Sequence, residues 1–431
     1  MSTDARPEPA WFRYTGAIAA ALTAGALLVV MGMILRHRIF VSSDTVSNYA
    51  HVWYVSRVLV DSHHVPYHMA IIGHGHGLAF PYAFVPWLSA ALLRPWLGDW
   101  VVTLWLVLGA AGLVGATFWA FPELRRGWWF ALVLADPVLV VALVLGQLPF
   151  LWAMAMVLAG VACWRSGHTV WAIVLTGAGQ ATHAAVALPI TAVLVAGWWF
   201  WEPNRRRLVL AYAVSLVITA PAAVLVFLTP AYTDSTFGVR MVNFVETVAP
   251  RLLIVAIPVA LVLLRRVVPP WLPPFFLALV VAISFVLATQ HDTNTAWHDL
   301  SKDPDRSLVP FLESSTFRPG LEYRLLSTDD RRIGMYQLLQ HGGRLDSEFF
   351  PESIVRRTWS SATDYCRFLR DRGVQRVVID RHYDVAFRKN EQQLLTRLER
   401  DPSGCAGVGV TVRAAGTVNR FDVYSVVYHS T

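Results

Sequence analysis

Asp44 follows the first long apolar segment of the chain and stands in the polar stretch SSDTVSNYAHVWYV together with Tyr49 and His51. A carboxylate at the edge of a membrane can act as a general base that deprotonates or orients a hydroxyl group. Ser, Asp and Thr before an apolar run are also the residues that cap the N-terminus of a helix. The residues alone therefore leave two interpretations of Asp44 open, a catalytic base and a helix cap.

The loop that follows is rich in histidine, with His63, His64, His68, His74 and His76 close together. Imidazole nitrogens ligate metals, so a divalent metal is one candidate cofactor for this region. No carboxylate or cysteine is interleaved with these histidines at a recognisable ligand spacing, and a flexible solvated loop is the alternative interpretation. The sequence assigns no metal-ligand set and indicates no other cofactor.

The elements that must position these residues are membrane helices. The chain has 431 residues, 55% of them hydrophobic, and a mean hydropathy of +0.47, which lies outside the soluble globular class. Apolar runs long enough to cross a hydrocarbon core recur up to residue 289 and predict a polytopic α-helical membrane protein with about nine or ten crossings. The candidate spans are 15–35, 80–95, 100–121, 128–145, 149–165, 169–201 (one long segment or two short helices), 208–229, 250–266 and 271–289.

The basic residues indicate the orientation of these spans. A net charge of +7 would favour a nucleic-acid partner in a soluble chain, but here the basic residues lie at segment ends, in ELRRGWW, CWRSGH, EPNRRRL and LLRRVVPP. Cytoplasmic loops of membrane proteins carry such residues, so we expect a lipid bilayer and no nucleic acid as partner. The alternation places residues 1–14 in the cytoplasm and the chain after residue 289 outside.

One stretch conflicts with this alternation. Residues 80–121 must contain an odd number of crossings, although two helices are predicted there. The two prolines of PYAFVPWLSAALL favour a re-entrant or interfacial first helix. The alternative is that ELRRG lies outside.

Residues 290–431 change abruptly to a charged and mixed composition that predicts an extracytoplasmic α/β domain. EYRLLST and VQRVVIDR have strand character, SATDYCRFLRDRG and NEQQLLTRLERDP have helical spacing, and GVGVTVRAA with NRFDVYSVVYH predicts a hairpin. The transmembrane domain then covers residues 15–289, with an external loop at 36–79.

Two features of this tail could serve function. Cys366 and Cys405 could pair if the tail faces an oxidising compartment, although spacing alone does not fix their geometry. Asp346, Glu348 and Glu352 stand near aromatic residues and could bind a sugar acceptor. A turn followed by a capped helix is the favoured interpretation of these carboxylates.

The order of motifs in the first half resembles a known family. Asp44 after the first span, a Tyr, then PYH and FPYAFVP at the next membrane segment resemble the first external loop of C-type (GT-C) glycosyltransferases. The similarity is greatest to the polyprenyl-phosphate-mannose-dependent family, whose succession of Pro, Gly-Gln, basic loop, small-residue helix and Pro is resembled by residues 136–189. The tail resembles external domains of related uncharacterised bacterial membrane proteins. The matched positions are Asp44, Tyr82, Pro86, Pro137, Gly146, Gln147 and Pro189.

The resemblance implies inverting transfer of a sugar from a polyprenyl phosphate to an extracytoplasmic glycan or lipid acceptor at the cell membrane, with Asp44 as the general base. The departing phosphate requires cations. The implied substrate-binding residues are Tyr49, His51, Arg57, Tyr82, Gln147, His183 and Arg240. The alternative function is a catalytically inactive scaffold or polyprenyl-lipid-binding assembly protein with the same fold.

His183 ranks first among the implied cations. It lies in QATHAAV, within an otherwise apolar stretch, where ionisable residues are functional candidates. A buried histidine that is hydrogen-bonded to a neighbouring helix is the competing interpretation.

Overall fold

The computed structural model describes residues 9–40, 42, 44–73, 77–78, 83–200, 202–228, 250–264, 268–269, 271–290, 308–326, 333–346, 359–381 and 386–429. The chain divides into two compact units. The first comprises Met1–Asn48, Phe80–Leu228 and Gly238–Trp297, and the second comprises Tyr49–Ala79, Thr229–Phe237 and His298–Thr431.

The first unit is helical. Its helices are α1 (Ala10–Leu35), the start of α2 (Thr45–Ser62), α3 (Phe84–Leu97), α4 (Trp100–Ala120), α5 (Gly127–Leu134), α6 (Pro137–Val144), α7 (Leu148–Arg165), α8 (Thr169–Thr182), α9 (Ala184–Trp198), α10 (Arg205–Leu228), α11 (Leu253–Leu264) and α12 (Leu272–Gln290). Among the described residues, four segments are long and apolar enough to cross a membrane: Ala10–Leu35, Trp100–Ala120, Gly127–Val144 and Leu148–Arg165.

The outward faces of these helices are apolar. Leu22 on α1 is 69% exposed and Val217 on α10 is 70% exposed, as are many other large hydrophobic side chains of the unit. Contiguous apolar surface of this kind requires lipid rather than water around it. The predicted class, a polytopic membrane protein with a C-terminal α/β domain, is confirmed.

Contacts between helix ends show that the helices alternate in direction. At one end, here called the basic end, the Arg165 guanidinium pairs with Glu123 at 2.9 Å and the Arg207 guanidinium lies 5.2 Å from the centre of the Trp164 ring. At the other end, here called the Asp44 end, the Asp44 N–H donates to the Leu145 carbonyl at 3.0 Å. The basic loops predicted to be cytoplasmic at ELRRG, CWRSGH and EPNRRR therefore share one end of the unit.

Helix α3 does not cross between the two ends. The Ala83 N–H, just before α3, donates to the Thr182 carbonyl at 3.0 Å, and the Trp100 indole N–H, just after it, donates to the carbonyl of Leu35 at 3.0 Å. Thr182 and Leu35 end α8 and α1 at the Asp44 end, so α3 begins and finishes there. A helix that starts and finishes at one end is compatible with the re-entrant or interfacial helix that the prolines favoured, and it leaves one crossing in residues 80–121.

Small residues hold α8 tightly among its neighbours. A Cβ atom on Gly160 would lie 2.5 Å from the Thr176 hydroxyl, one on Gly179 would lie 2.8 Å from the Ala153 carbonyl, and one on Gly177 would lie 2.8 Å from Ile218. Glycine is therefore required for α7, α8 and α10 to approach this closely, as is common in membrane helix packing.

A buried polar cluster also fixes α8. Gln180 is fully buried, donates to the Thr191 hydroxyl at 2.8 Å and accepts from Thr219 at 2.8 Å and Ser215 at 3.3 Å. These bonds join α8, α9 and α10 in a region where an unsatisfied polar group would be costly. They hold the end of α8 immediately before His183.

The second unit contains a five-stranded sheet with the order β4-β3-β5-β7-β6. The strands are β3 (Glu322–Leu326), β4 (Arg344–Leu345), β5 (Arg376–Asp380), β6 (Val410–Val418) and β7 (Phe421–Tyr428); β3, β4 and β5 are parallel, and β7 is antiparallel to both β5 and β6. Its described helices are the rest of α2, α13 (Val309–Leu312), α14 (Ile333–Gln340), α15 (Ala362–Asp371) and α16 (Ala386–Arg400). The predicted strands, helices and hairpin of the tail are confirmed.

Two helices and a disulfide cover one face of this sheet. Residues of α15, α16, β5, β6 and β7 share one hydrophobic core, and the Ser361 hydroxyl caps α15 by accepting from the Asp364 N–H. Cys366 and Cys405 form a disulfide with a Cα–Cα distance of 5.7 Å, which settles the pairing that the sequence left open. Both cysteines are buried in the core.

Part of the predicted external loop belongs to this unit. Residues 68–69 and 77–78 form a short hairpin, β1 and β2, and Ile72 makes a parallel bridge to Leu345 in β4. The Leu345 N–H donates to the Ile71 carbonyl at 2.9 Å, and the Arg344 guanidinium donates to the Ala70 carbonyl at 3.1 Å. The loop thereby extends the edge of the sheet at β4.

Candidate active site at the Asp44 end of the membrane helices

Asn48 joins the Asp44 segment to two other elements. Its side-chain NH₂ donates to the carbonyl oxygens of Asp44 and Gly146, both at 3.0 Å, and its side-chain oxygen accepts from the Trp87 indole N–H at 2.9 Å. The Asp44 N–H donates in turn to Leu145. The start of α2, the turn between α6 and α7 and the second turn of α3 therefore meet around Asn48, which is almost fully buried.

The Gly146 position explains why a glycine stands before Gln147. Gly146 has a φ of +73°, a conformation that side chains other than glycine rarely adopt. A Cβ atom there would lie 2.0 Å from the Thr45 methyl carbon and 2.7 Å from the Ser42 hydroxyl oxygen. Thr45 itself is fixed because its hydroxyl accepts from the Ser42 N–H at 2.7 Å and donates to the Ser42 carbonyl at 3.1 Å. Glycine at this position thus allows the Asp44 segment to seat against the turn.

Asp44 and Gln147 present polar groups at this junction. Asp44 is partly exposed and directly precedes the first residue of α2, and Gln147 is partly buried and directly precedes α7. Within the described part of the chain, no hydrogen bond engages the Gln147 side-chain amide. Its donor and acceptor can therefore both serve a ligand.

His183 and Arg251 form a second polar group at the same end. His183 lies at the break between α8 and α9, with its ring 6.4 Å from the Phe150 ring in an edge-to-face arrangement. The Arg251 guanidinium carbon lies 5.6 Å from the centre of the same Phe150 ring. Because Thr182, the neighbour of His183, is bonded to Ala83 at the start of α3, both polar groups lie around one short helix.

The other predicted site residues do not belong to this group as described. Tyr49, His51 and Arg57 are in the second unit, where the buried Tyr49 stacks on Tyr336 at 6.0 Å between ring centres. Arg57 lies about three helical turns beyond the start of α2 and pairs with Asp61 at 3.4 Å, with both side chains more than half exposed. Tyr82 and Arg240 lie outside the described residues.

Two further acids of the membrane unit have structural partners. The Asp136 carboxylate accepts from the Val138 N–H at 2.8 Å and caps α6, whose first residue is Pro137. Glu123 pairs with Arg165 at the basic end. A capping Asp and an ion-paired Glu at the opposite end account for both residues without catalysis.

The histidine loop shows no metal site where it is described. His63, His64 and His68 are exposed, whereas His74 and His76 lie outside the described residues. Across the part of the chain that is described, no three His, Cys, Asp or Glu side chains come together as a metal ion would require.

The tail carboxylate Asp346 belongs to a buried ion network. The Arg324 guanidinium on β3 pairs with Asp346 at 3.0 Å and with the Glu391 carboxylate of α16, which also accepts from the Tyr365 hydroxyl at 2.8 Å. Burial raises the pKa of Asp346, although the Arg324 charge opposes this, and burial together with Glu391 raises the pKa of Tyr365 well above its usual value. These ion pairs and the hydrogen bond account for Asp346 as a structural residue. Glu348 and Glu352 lie outside the described residues.

The sequence did not identify three residues of this end as part of the site: Asn48, Trp87 and Arg251. Asn48 occupies a helix position without a distinctive spacing, and Trp87 is one of 18 tryptophans. Arg251 offered a signal, since it is a lone cation at the start of an apolar segment, but the signal does not reveal its neighbours.

Comparison with known proteins gives one distant structural likeness. No protein-family model matches the chain, and no curated protein sequence matches it. Among solved structures, the chain is similar to the crystal structure of ArnT from Cupriavidus metallidurans bound to undecaprenyl phosphate, with a TM-score of 0.43 and 14% sequence identity over 94% of this chain and 97% of that chain. A likeness of this degree concerns overall architecture and assigns no activity or substrate to the chain.

Proposed function

We propose that this protein is a membrane glycosyltransferase that moves a sugar from a polyprenyl-phosphate donor to a glycan or lipid acceptor, with Asp44 as the general base. The observation that carries the proposal is the junction at Asn48. It seats Asp44 against the Gly146–Gln147 turn, which brings together positions that lie far apart in sequence and that each belong to the resemblance to C-type glycosyltransferases. These bonds fix the backbone of Asp44, and a carboxylate that starts from a fixed backbone can serve proton transfer.

The proposed reaction needs a base and a cation. The acceptor hydroxyl loses its proton to the Asp44 carboxylate while its oxygen forms a bond to the anomeric carbon. The bond from that carbon to the donor phosphate oxygen breaks, and the polyprenyl phosphate leaves with the electron pair. Arg251 supplies the positive charge that such a leaving group requires, and the neutral His183 imidazole can supply a hydrogen-bond donor. Gln147 offers its amide to the sugar or the phosphate.

The site and the tail are proposed to lie on the extracytoplasmic side. The basic end carries the arginine-rich loops and faces the cytoplasm under the positive-inside rule, so the Asp44 end faces out. Helix α11 runs from Arg251 at the Asp44 end to the short helix Pro122–Leu124 at the basic end. The next helix, α12, therefore starts at the basic end and runs back toward the Asp44 end, so the tail that follows it is proposed to lie outside. The Cys366–Cys405 disulfide also supports an oxidising compartment.

A catalytically inactive membrane scaffold is the second candidate, and one observation favours it. Asp44 directly precedes the first residue of α2, where an Asp acts as a cap without any catalytic role. Asn caps helices about as well as Asp, but its side chain cannot accept a proton as a base. Asp44→Asn therefore separates the two functions.

The test is complementation of a deletion strain with wild-type and Asp44→Asn chains at matched membrane abundance, with profiling of polyprenyl-phosphate sugars and surface glycans. We expect Asp44→Asn to fail and a lipid-linked sugar to accumulate, which would also identify the donor. Asp136→Asn is the matched control, because it preserves a helix cap elsewhere in the membrane unit and should complement. A normal glycan profile with Asp44→Asn would refute the transferase proposal and favour the scaffold.

A divalent metal remains a prediction for the donor phosphate. Chelation with EDTA before a transfer assay tests it, because loss of transfer that returns with added magnesium or manganese would indicate a metal-dependent reaction. Transfer that is insensitive to EDTA would leave Arg251 as the charge that stabilises the leaving group.

A further inference from the structure

A cavity lies between α7, α8, α9 and α10, on the side of the bundle away from Asp44. Its volume is about 80 Å³, and it is open to the surroundings. Its lining is almost entirely apolar and includes Val157, Ile173, Leu194 and Ala211, with Trp164 and Trp198 near the basic end. The apolar lining of this open cavity fits part of a hydrocarbon chain better than a polar metabolite.

The rim of this cavity at the basic end is rich in arginine. The Arg207 guanidinium lies over Trp164, which lines the cavity, and Arg207 also donates to the Thr169 hydroxyl. The Arg205 guanidinium lies 5.5 Å from the centre of the Trp199 ring, next to the cavity residue Trp198. Arg206 is exposed between them. Arg205 and Arg207 thus lie beside the apolar cavity, and Arg206 adds a third charge to the same segment.

One acid lies among these cations. Glu202 accepts from the Trp164 indole N–H at 3.0 Å and from the Asn204 N–H at 3.2 Å. Both bonds orient its carboxylate toward neutral donors, and one negative charge leaves the Arg205–Arg207 segment net positive. The rim therefore still favours an anion.

We propose that the cavity holds an acyl chain of an anionic phospholipid of the inner leaflet, whose phosphate is bound by Arg205 and Arg206. The helix faces around the cavity are exposed and apolar, with Val170 at 72% and Phe200 at 76% exposure, so lipid chains surround its mouth. The basic end is where anionic headgroups and cytoplasmic arginines meet. This site lies apart from Asp44 and does not depend on its chemistry.

The test is binding of phosphatidylglycerol and phosphatidylcholine to the full-length protein in detergent, measured by native mass spectrometry. We expect phosphatidylglycerol to bind at least tenfold more tightly. Arg205→Gln with Arg206→Gln should weaken it about 25-fold, since each basic residue near an anionic lipid surface contributes about 1 kcal/mol and 1.4 kcal/mol is tenfold. Ala211→Phe, which fills the cavity, should weaken binding in the same way.

The control is Arg126→Gln, which removes an exposed arginine at the basic end away from the cavity and should leave binding unchanged. Glycerol 3-phosphate serves as a headgroup probe without acyl chains and should not bind. Equal binding of the two lipids, or a double variant that binds phosphatidylglycerol like wild type, would overturn the proposal. Binding of glycerol 3-phosphate as tight as that of the lipid would overturn the role of the cavity.

Discussion

Replacement of Gly146 by alanine should displace Asp44 without unfolding the protein. Alanine at a φ of +73° costs about 1–2 kcal/mol, and overpacking against Thr45 costs about 1–3 kcal/mol more. We therefore expect a destabilisation of about 2–5 kcal/mol, with most of the displacement at the start of α2, since the new methyl group would lie 2.0 Å from the Thr45 side chain.

A second substitution, Thr45→Ser, tests whether the collision with Thr45 causes the loss. Serine keeps the hydroxyl that bonds to Ser42 but removes the methyl carbon with which the new Cβ collides. The Gly146→Ala/Thr45→Ser double variant should therefore recover part of the overpacking cost of about 1–3 kcal/mol, because the contact with the Ser42 hydroxyl oxygen at 2.7 Å remains. It should recover part of the transfer activity as well.

The assay compares thermal unfolding in detergent with sugar transfer from a polyprenyl-phosphate donor for wild type, both single variants and the double variant. Gly115, which has open space around its Cβ position, provides the control Gly115→Ala. Wild-type activity in Gly146→Ala would refute the argument that the turn positions Asp44. Failure of Thr45→Ser to recover either stability or activity would show that the collision is not the cause.

Three further predictions concern other parts of the chain. Arg251→Ala should lower transfer about 10²-fold or more, with partial rescue by Arg251→Lys, because a fixed cation stabilises the departing phosphate; unchanged transfer would exclude that role. Replacement of Cys366 and Cys405 by serine should lower the free energy of unfolding of the tail by about 4 kcal/mol, as expected for a loop closed across 39 residues. The unfolding midpoint of this variant should no longer respond to reductant. An unchanged melting temperature would contradict the prediction. Glu391→Gln should cost about 3–5 kcal/mol in denaturant titration by leaving Arg324 underpaired, and an unaffected midpoint would count against the buried network.

The fold was largely predictable because its signals are local. Apolar runs and arginine-rich ends predict membrane helices and their direction, and period-two and helical patterns predict the β6–β7 hairpin and α15 of the tail. The expectation that α3 does not cross came from counting crossings together with the two prolines of its sequence. The disulfide could not be decided, since the distance between Cys366 and Cys405 depends on how α15 packs against the short helix Pro402–Val408.

The site was less predictable because it depends on contacts between distant segments. Asp44 and Gly146 were both matched positions of the resemblance, but only the structure shows that they meet and that Asn48 and Trp87 make the junction. The role of Asp346 was decided by its partner Arg324, which stands on another strand. Sequence can propose such residues, whereas their partners come from tertiary packing.

The transfer rate of purified Asp44→Asn chains in liposomes tests most directly whether Asp44 is the general base. If Asp44 is the general base, the rate should be at least about 10²-fold below wild type. The melting temperature should be unchanged, because asparagine also caps helices. A rate within threefold of wild type at equal stability would show that Asp44 is only a helix cap and would contradict the account.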